Sequence, residues 1–185
     1  KILSEIRKFG FGADVVSKGE LLAALKSKIN PKKIVFSGVG KTYQEIEFAA
    51  KKKVLLINAE SQSEIETILK IAKKINRVID IGIRLNPNVD AKTIKEITTG
   101  KTINKFGLAE KEVIGLINHY KKSKYLNIKC LSVHIGSQIT SHIPYLKMLK
   151  AIQKIIDKAK FNFKYIDLGG GMGISYGENN KKLNY

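Results

Sequence analysis

The chain of 185 residues has an ordinary globular composition, 43% hydrophobic and 27% charged, and its 34 basic and 16 acidic residues give a formal net charge of +18. No apolar run approaches the ~20 residues that a membrane helix needs, and the single cysteine, Cys130, excludes an internal disulfide. We therefore expect a soluble, cytoplasmic protein with one domain and a sizeable core.

The basic charge favours solvated helix surfaces over recognition of nucleic acid. Only three of the basic residues are arginine, and the lysines are spread over several predicted helices instead of forming one stripe. No aromatic residues alternate with them as on a single-strand platform, and no zinc-finger spacing or phosphate-loop motif occurs. Nucleic-acid binding stays open as an alternative, and it predicts tight association that depends steeply on salt.

Short apolar runs alternate along the chain with longer segments in which apolar residues recur at three- and four-residue spacing, as in amphipathic helices. Ser17 with Glu20, and Ser61 with Glu64, have the spacing of capping boxes and predict two helix starts. The apolar runs are typical of parallel strands covered on both faces. They predict an α/β protein that is either doubly wound or closed into a barrel. The runs are Ala13 to Ser17, Lys33 to Gly38, Val54 to Ala59, Val78 to Leu85, Cys130 to Ile135 and Tyr165 to Leu168.

Polar or glycine residues end nearly every predicted strand. In a barrel these strand ends would ring one mouth, where barrel enzymes carry their active sites, whereas in an open sheet they would be spread along an edge. This pattern favours the barrel. The residues concerned are Ser17, Ser37, Gly38, Asn58 to Glu60, Arg84, His134 to Ser137 and Gly169 to Gly171.

The strongest local signal is the run from Asp167 to Gly173, which contains several glycines directly after a strand. Such glycines let backbone amides approach an anion closely, and phosphate is the usual guest. The glycine spacing differs from that of a dinucleotide-binding fingerprint. A tight turn at the strand end is the alternative interpretation.

A second signal is His134, which ends a buried strand and is followed by Gly136 and Ser137. An imidazole in this place could stack on a flat cofactor ring, and the serine hydroxyl could donate to a phosphate oxygen. A core histidine with satisfied hydrogen bonds is the alternative. His119 and His142 lie on helix patterns without a partner at metal-ligand spacing, and we therefore predict no metal site.

Arg84 is the one arginine inside a strand run, and a buried guanidinium is costly unless an acid or an anion pairs with it. Asp14, on an adjacent strand, is the candidate partner, and a structural salt bridge is the alternative role. Lys105 could lie near the barrel mouth or on the surface at a helix start. Cys130 is expected to be an inert core residue. These residues alone predict a phosphate-bearing ligand at a barrel mouth.

Taken in order, the motifs resemble those of the diaminopimelate decarboxylases over the whole chain. The resemblance implies an α/β fold, the alanine-racemase-like (β/α)8 barrel of pyridoxal-phosphate enzymes, with residues 1–185 supplying strands two to seven of an incomplete barrel domain. Lys18 stands where the family commonly has glycine, and we expect it to be tolerated at a helix start. The matching segments are Gly10 to Leu21, Ile57 to Ser61, Arg84 to Ala91, Thr98 to Gly100, Lys105 to Gly107, His134 to Ile139 and the triple glycine Gly169 to Gly171.

The reaction that the resemblance implies is decarboxylation of meso-2,6-diaminopimelate to L-lysine and carbon dioxide, the last step of lysine biosynthesis, with pyridoxal 5'-phosphate as cofactor. By similarity, His134 would stack on the cofactor ring. Ser137 and Gly171 would hold the phosphate, with Gly170 beside them.

The resemblance assigns further residues to the same mouth. Arg84 and Asp14 would lie under the cofactor, in a network that links the ring to the barrel wall. Asn58 and Glu60 would line the mouth less directly.

The resemblance also implies that no catalytic residue lies within the chain. The lysine that binds the cofactor covalently is expected upstream of Lys1, and the cysteine of a C-terminal β-domain downstream of Tyr185. We therefore expect an internal fragment that is inactive alone and a homodimer in the full-length protein. An arginine or ornithine decarboxylase of the same fold and a non-catalytic relative that binds the cofactor are the alternatives.

Overall fold

The computed structural model describes residues 2–90 and 106–174. They belong to two compact units, each built from two stretches of chain. The first unit contains Lys1–Gly82 and Tyr120–Cys130, and the second contains Ile83–His119 and Leu131–Tyr185. The single domain inferred from the sequence stays a prediction.

Helices and strands alternate along the chain, as predicted. All six strands of the described residues belong to one sheet with the order β1-β2-β3-β4-β5-β6. β1 pairs with β2 and β2 with β3, in parallel. A doubly wound sheet reverses its strand order at a switch point, and this order has no reversal. The elements are α1 (Ile2–Lys8), β1 (Ala13–Val15), α2 (Lys18–Lys26), a 3-10 turn (Pro31–Lys33), β2 (Ile34–Phe36), α3 (Tyr43–Lys52), β3 (Leu56–Ala59), α4 (Gln62–Lys74), β4 (Ile79–Leu85), α5 (Glu110–Tyr120), β5 (Leu126–Val133), α6 (Ile143–Ala159) and β6 (Tyr165–Asp167).

The start of β5 is where the sequence interpretation was wrong, because the strand begins at Leu126 and not at Cys130. Polar residues interrupt the apolar run there. The Nδ2 atom of Asn127 donates to Oδ1 of Asp80 (2.9 Å), and Nζ of Lys129 donates to Oδ2 (2.7 Å). A carboxylate on the neighbouring strand β4 therefore accepts hydrogen bonds from two polar side chains that are more typical of loops.

The core follows the predicted periodicity. All four residues of β3 are buried, and α4 buries Ile65, Ile68, Ile71 and Ala72, at the three- and four-residue spacing of a helix face. Cys130 is fully buried and forms no disulfide, as expected of a core residue. Among the helices described, none has the length and apolarity needed to cross a bilayer.

Both predicted helix starts are confirmed, but the glutamate carboxylates do not bind the N-cap backbone as a capping box requires. Ser17 accepts a hydrogen bond from the backbone N of Glu20, and Ser61 accepts one from the N of Glu64. The two carboxylates accept from the residue before the N-cap, Val16 N in one case and Glu60 N in the other. The helices are therefore capped, but neither capping box is complete.

Lys18 is accommodated at the first position of α2. Its ammonium lies 5.3 Å from the ring centroid of Phe48, and its backbone N donates to Oε1 of Glu45 (3.2 Å). A lysine in place of glycine thus packs against the next helix, α3.

A complete capping box begins α3. Oγ1 of Thr42 accepts from the N of Glu45 (3.3 Å), and Oε2 of Glu45 accepts from the N of Thr42 (3.0 Å). The hydrogen bond from the Thr42 backbone is the largest of the effects that lower the pKa of Glu45. In the full-length protein, Thr42→Ala should lower the free energy of unfolding by about 1 kcal/mol, measured by urea denaturation.

Thr67→Ala is the matched control, because it makes the same chemical change inside α4, where alanine is the better helix former. We expect no loss of stability from it. Equal losses from the two substitutions would show that the cap of α3 contributes nothing of its own.

Candidate cofactor site

In the second unit, Asp167 fixes the start of the glycine run that follows β6. Its Oδ1 atom accepts from the N of Gly169 (2.9 Å), and its Oδ2 atom accepts from Oγ of Ser132 on β5 (2.9 Å). One carboxylate therefore ties the run to the neighbouring strand.

His134 contacts the glycine run directly. The backbone N of Gly170 donates to Nδ1 of His134 (3.3 Å). A Cβ atom on Gly169, whose φ is +67°, would lie 2.6 Å from the same nitrogen. A backbone N–H can only donate, so Nδ1 is the acceptor and the proton of the neutral ring is on Nε2.

Gly171 packs against the turn that contains Ser137. A Cβ atom on Gly171, whose φ is +87°, would lie 1.9 Å from the carbonyl O of Gly136 and 3.2 Å from Cα of Ser137. The N of Ile139 donates to the O of Gly171 (2.8 Å), and the N of Gly173 donates to the O of Ile139 (2.9 Å). The structure thus brings together two predicted phosphate-binding residues, Ser137 and Gly171, on adjacent loops.

Arg84 lies half-buried near the end of β4, also in the second unit. Its guanidinium Cζ lies 5.6 Å from the ring centroid of Phe106, within range of a cation–π interaction. Its carbonyl O accepts from the N of Leu108 (2.9 Å). Residues 106–108 therefore return to the end of β4, while Lys105 lies outside the described residues.

In the first unit, Asn58 is buried at 1% exposure on β3, and Glu60 at 9% follows that strand. Nδ2 of Asn58 donates to Oγ of Ser37 (3.1 Å). A Cβ atom on Gly82 of β4 would lie 2.0 Å from Oδ1 of Asn58. The glycine therefore makes room for the amide between the strands.

A buried ion pair lies behind these residues. Nζ of Lys41, on a side chain only 1% exposed, is 2.9 Å from Oε1 of Glu64, and it also donates to the carbonyl O atoms of Gly38 and Asn58. Burial raises the pKa of Glu64, and the ammonium of Lys41 opposes that rise. Lys41 thus ties the chain that follows β2 to the end of β3.

Asp14 lies on β1 with an exposed side chain, in register with Val35 of β2. It belongs to the first unit and Arg84 to the second, and their pairing stays a prediction. In residues 2–90 and 106–174, no cluster of three or more His, Cys, Asp or Glu side chains could hold a metal ion.

Sequence reasoning missed three residues of these networks. Lys41 was not singled out, although its place after the glycines that follow β2 matches the polar strand ends noted elsewhere. Glu64 was read only as a capping residue. Tyr145, whose Oη donates to the O of Gly170 (3.2 Å), gave no signal, because a lone tyrosine on an amphipathic helix has the same pattern as a packing residue.

Comparisons with known proteins identify the family of this chain. The family model of the pyridoxal-binding domain of pyridoxal-dependent decarboxylases matches residues 1–185. A diaminopimelate decarboxylase of Helicobacter pylori strain J99 is 45% identical over 181 residues, which are 95% of this chain and 44% of that protein. A diaminopimelate decarboxylase of Aquifex aeolicus is 38% identical over 98% of this chain and 43% of its own length.

Solved structures give the same result. The crystal structure of the Helicobacter pylori diaminopimelate decarboxylase complexed with L-lysine matches with a TM-score of 0.94 and 42% identity, over 99% of this chain and 47% of that one. The crystal structure of the diaminopimelate decarboxylase from M. jannaschii in co-complex with L-lysine matches with a TM-score of 0.87 and 34% identity, over 98% of this chain and 43% of that one. The chain thus spans just under half the length of these relatives.

These matches confirm the predicted α/β barrel class, the family resemblance and pyridoxal phosphate as the cofactor. Because the family model matches all 185 residues, the chain belongs to the pyridoxal-dependent decarboxylases and forms part or all of their pyridoxal-binding domain.

Proposed function

We propose that the full-length protein decarboxylates meso-2,6-diaminopimelate to L-lysine and carbon dioxide, using pyridoxal 5'-phosphate. The observation that carries the proposal is the 45% identity to a diaminopimelate decarboxylase over 95% of the chain. The TM-score of 0.94 with a structure of such an enzyme complexed with L-lysine, the product of this reaction, adds support.

The residues of the second unit fit the phosphate of this cofactor. Gly171 packs so closely on Gly136 that no side chain could occupy the space between them, and the backbone N–H of Gly171 beside the Ser137 hydroxyl suits an anion with several acceptor oxygens. We assign phosphate binding to Ser137, Gly170 and Gly171. When bound, the cofactor supplies an electron-accepting ring for the electrons that decarboxylation releases.

The remaining residues orient the ring. We assign stacking on it to His134, whose Nε2–H form is set by Gly170. Arg84 and Asp14 are assigned to the network beneath the cofactor. Asn58 and Glu60 are assigned to the lining of the mouth, and in the first unit the Lys41–Glu64 pair fixes the backbone on which they stand.

We further propose a cytoplasmic homodimer. The support for both is the family resemblance.

A substrate comparison tests the proposal. Purified full-length protein loaded with pyridoxal phosphate should release carbon dioxide from meso-diaminopimelate and form L-lysine, with kcat/KM at least ~100-fold above that for L-arginine or L-ornithine. Preference for arginine or ornithine would assign the protein to a different decarboxylase of the same fold. Cofactor binding without release of carbon dioxide from any of the three would indicate a non-catalytic relative.

A further inference from the structure

Tyr145 reaches the glycine run from the first turn of α6. Its Oη donates to the carbonyl O of Gly170 (3.2 Å), while the N–H of the same glycine donates to Nδ1 of His134 (3.3 Å). Gly170 is therefore held at both of its backbone polar groups, by side chains from two different elements.

The bond to the carbonyl has a geometric consequence one residue further on. The carbonyl of Gly170 and the N–H of Gly171 belong to one planar peptide group, and in a trans peptide the two point in opposite directions. None of the peptide bonds in the described residues is cis. With the carbonyl directed at Tyr145, the N–H of Gly171 is directed away from Tyr145.

This peptide group needs an external constraint because a glycine lies on each side of it. Without Cβ atoms, the flanking ψ and φ angles can rotate together and turn the peptide plane over at little steric cost. The neighbouring groups have partners already, since Asp167 accepts from the N of Gly169 and Ile139 donates to the O of Gly171. The Tyr145 hydroxyl supplies the constraint for the peptide between them.

We propose that Tyr145 is a positioning residue of the cofactor site, and that its hydroxyl, acting through the Gly170 carbonyl, aims the Gly171 N–H at the cofactor phosphate. The proposal rests on the function proposed above, because it takes the phosphate to lie at Gly171 and Ser137. It assigns Tyr145 no contact with substrate and no part in bond breaking.

Tyr145→Phe in the full-length protein tests this role, because it removes one oxygen atom and keeps the aromatic ring. Two probes are titrated against the cofactor-free protein, pyridoxal phosphate and pyridoxal, which lacks the phosphate. We expect the dissociation constant for pyridoxal phosphate to rise about tenfold, the effect of one hydrogen bond, and that for pyridoxal to stay the same. The melting temperature should not change.

Tyr165→Phe is the matched control, since Tyr165 lies on β6 of the same unit and makes a cation–π contact with Lys164. It should alter neither dissociation constant. As a second readout, amide hydrogen exchange of residues 169–171 in the cofactor-free protein should be faster in Tyr145→Phe and unchanged in Tyr165→Phe.

Equal weakening of both probes in Tyr145→Phe, or no weakening of either, would overturn the proposal. Selective weakening of pyridoxal phosphate, together with faster exchange of the loop, supports it. The outcome is separable from that of the substrate comparison, because a protein that decarboxylates none of the three amino acids can still show the selective loss.

Discussion

Gly171→Ala should weaken the binding of pyridoxal phosphate to the full-length protein by about 100-fold or more. The new Cβ atom would lie 1.9 Å from the carbonyl O of Gly136, and the backbone φ of +87° is one that side chains rarely adopt. Backbone strain and overpacking each cost about 1–3 kcal/mol, and a loss of ~2.7 kcal/mol in binding corresponds to 100-fold. Relief of the clash would separate Gly171 from the Ser137 turn and so open the phosphate site.

The measurement is an absorbance titration with pyridoxal phosphate, combined with thermal denaturation of the cofactor-free protein. Gly115→Ala is the control, because a Cβ atom at that position of α5 meets nothing within 4 Å. It should bind the cofactor as the wild type does. Wild-type affinity for pyridoxal phosphate in Gly171→Ala would show that this loop is not part of the phosphate site.

Glu64→Gln should lower the free energy of unfolding by about 3–5 kcal/mol, the cost of leaving one partner of a buried ion pair without its counter-charge. The Lys41 ammonium would keep its two carbonyl acceptors but lose the carboxylate at 2.9 Å. Because the side chain of Lys41 is only 1% exposed, water cannot replace that carboxylate. Urea denaturation of the full-length protein measures the loss.

Two further variants distinguish the loss of the buried ion pair from the general effect of a Glu→Gln substitution on α4. Glu66→Gln makes the same change at an exposed position of α4 and should cost little. The double variant Lys41→Met, Glu64→Gln removes both charges and should recover part of the stability, since a buried pair can be replaced by uncharged groups at small cost. A single Glu64→Gln variant as stable as Glu66→Gln would mean that the pair is hydrated in solution.

The regular elements could be predicted because their signals are local. The spacing of Ile65, Ile68 and Ile71 is enough to define the buried face of α4, and Ser17 and Ser61 define two helix starts. The start of β5 could not be read in this way. Asn127 and Lys129 are compatible with a strand only because Asp80 lies on the neighbouring strand, and that contact is 47 to 49 residues distant in the chain.

The site residues also differ in whether their signal is local or depends on contacts that are distant in the chain. The glycine run and the segment from His134 to Ser137 each carry a local composition that suits a phosphate-bearing cofactor, and the structure places them in contact through Gly170 and Gly171. Tyr145 has no such signal, and Lys41 has only its place after a strand, since their roles depend on which backbone carbonyls the fold brings to them. A residue that acts through another residue's backbone leaves no motif in the sequence.

The side-chain amide of Asn58 on β3 fills the space that a side chain at position 82 on the neighbouring strand β4 would need. A methyl group on residue 82 would lie 2.0 Å from Oδ1 of Asn58, and 3.2 Å from Cβ of Cys130. In the evolution of this protein, the substitution Gly82→Ala should be tolerated only after Asn58 has been replaced by a residue without the side-chain amide. The two sites should therefore change in a fixed order, and a lineage that keeps the asparagine is bound to keep the glycine.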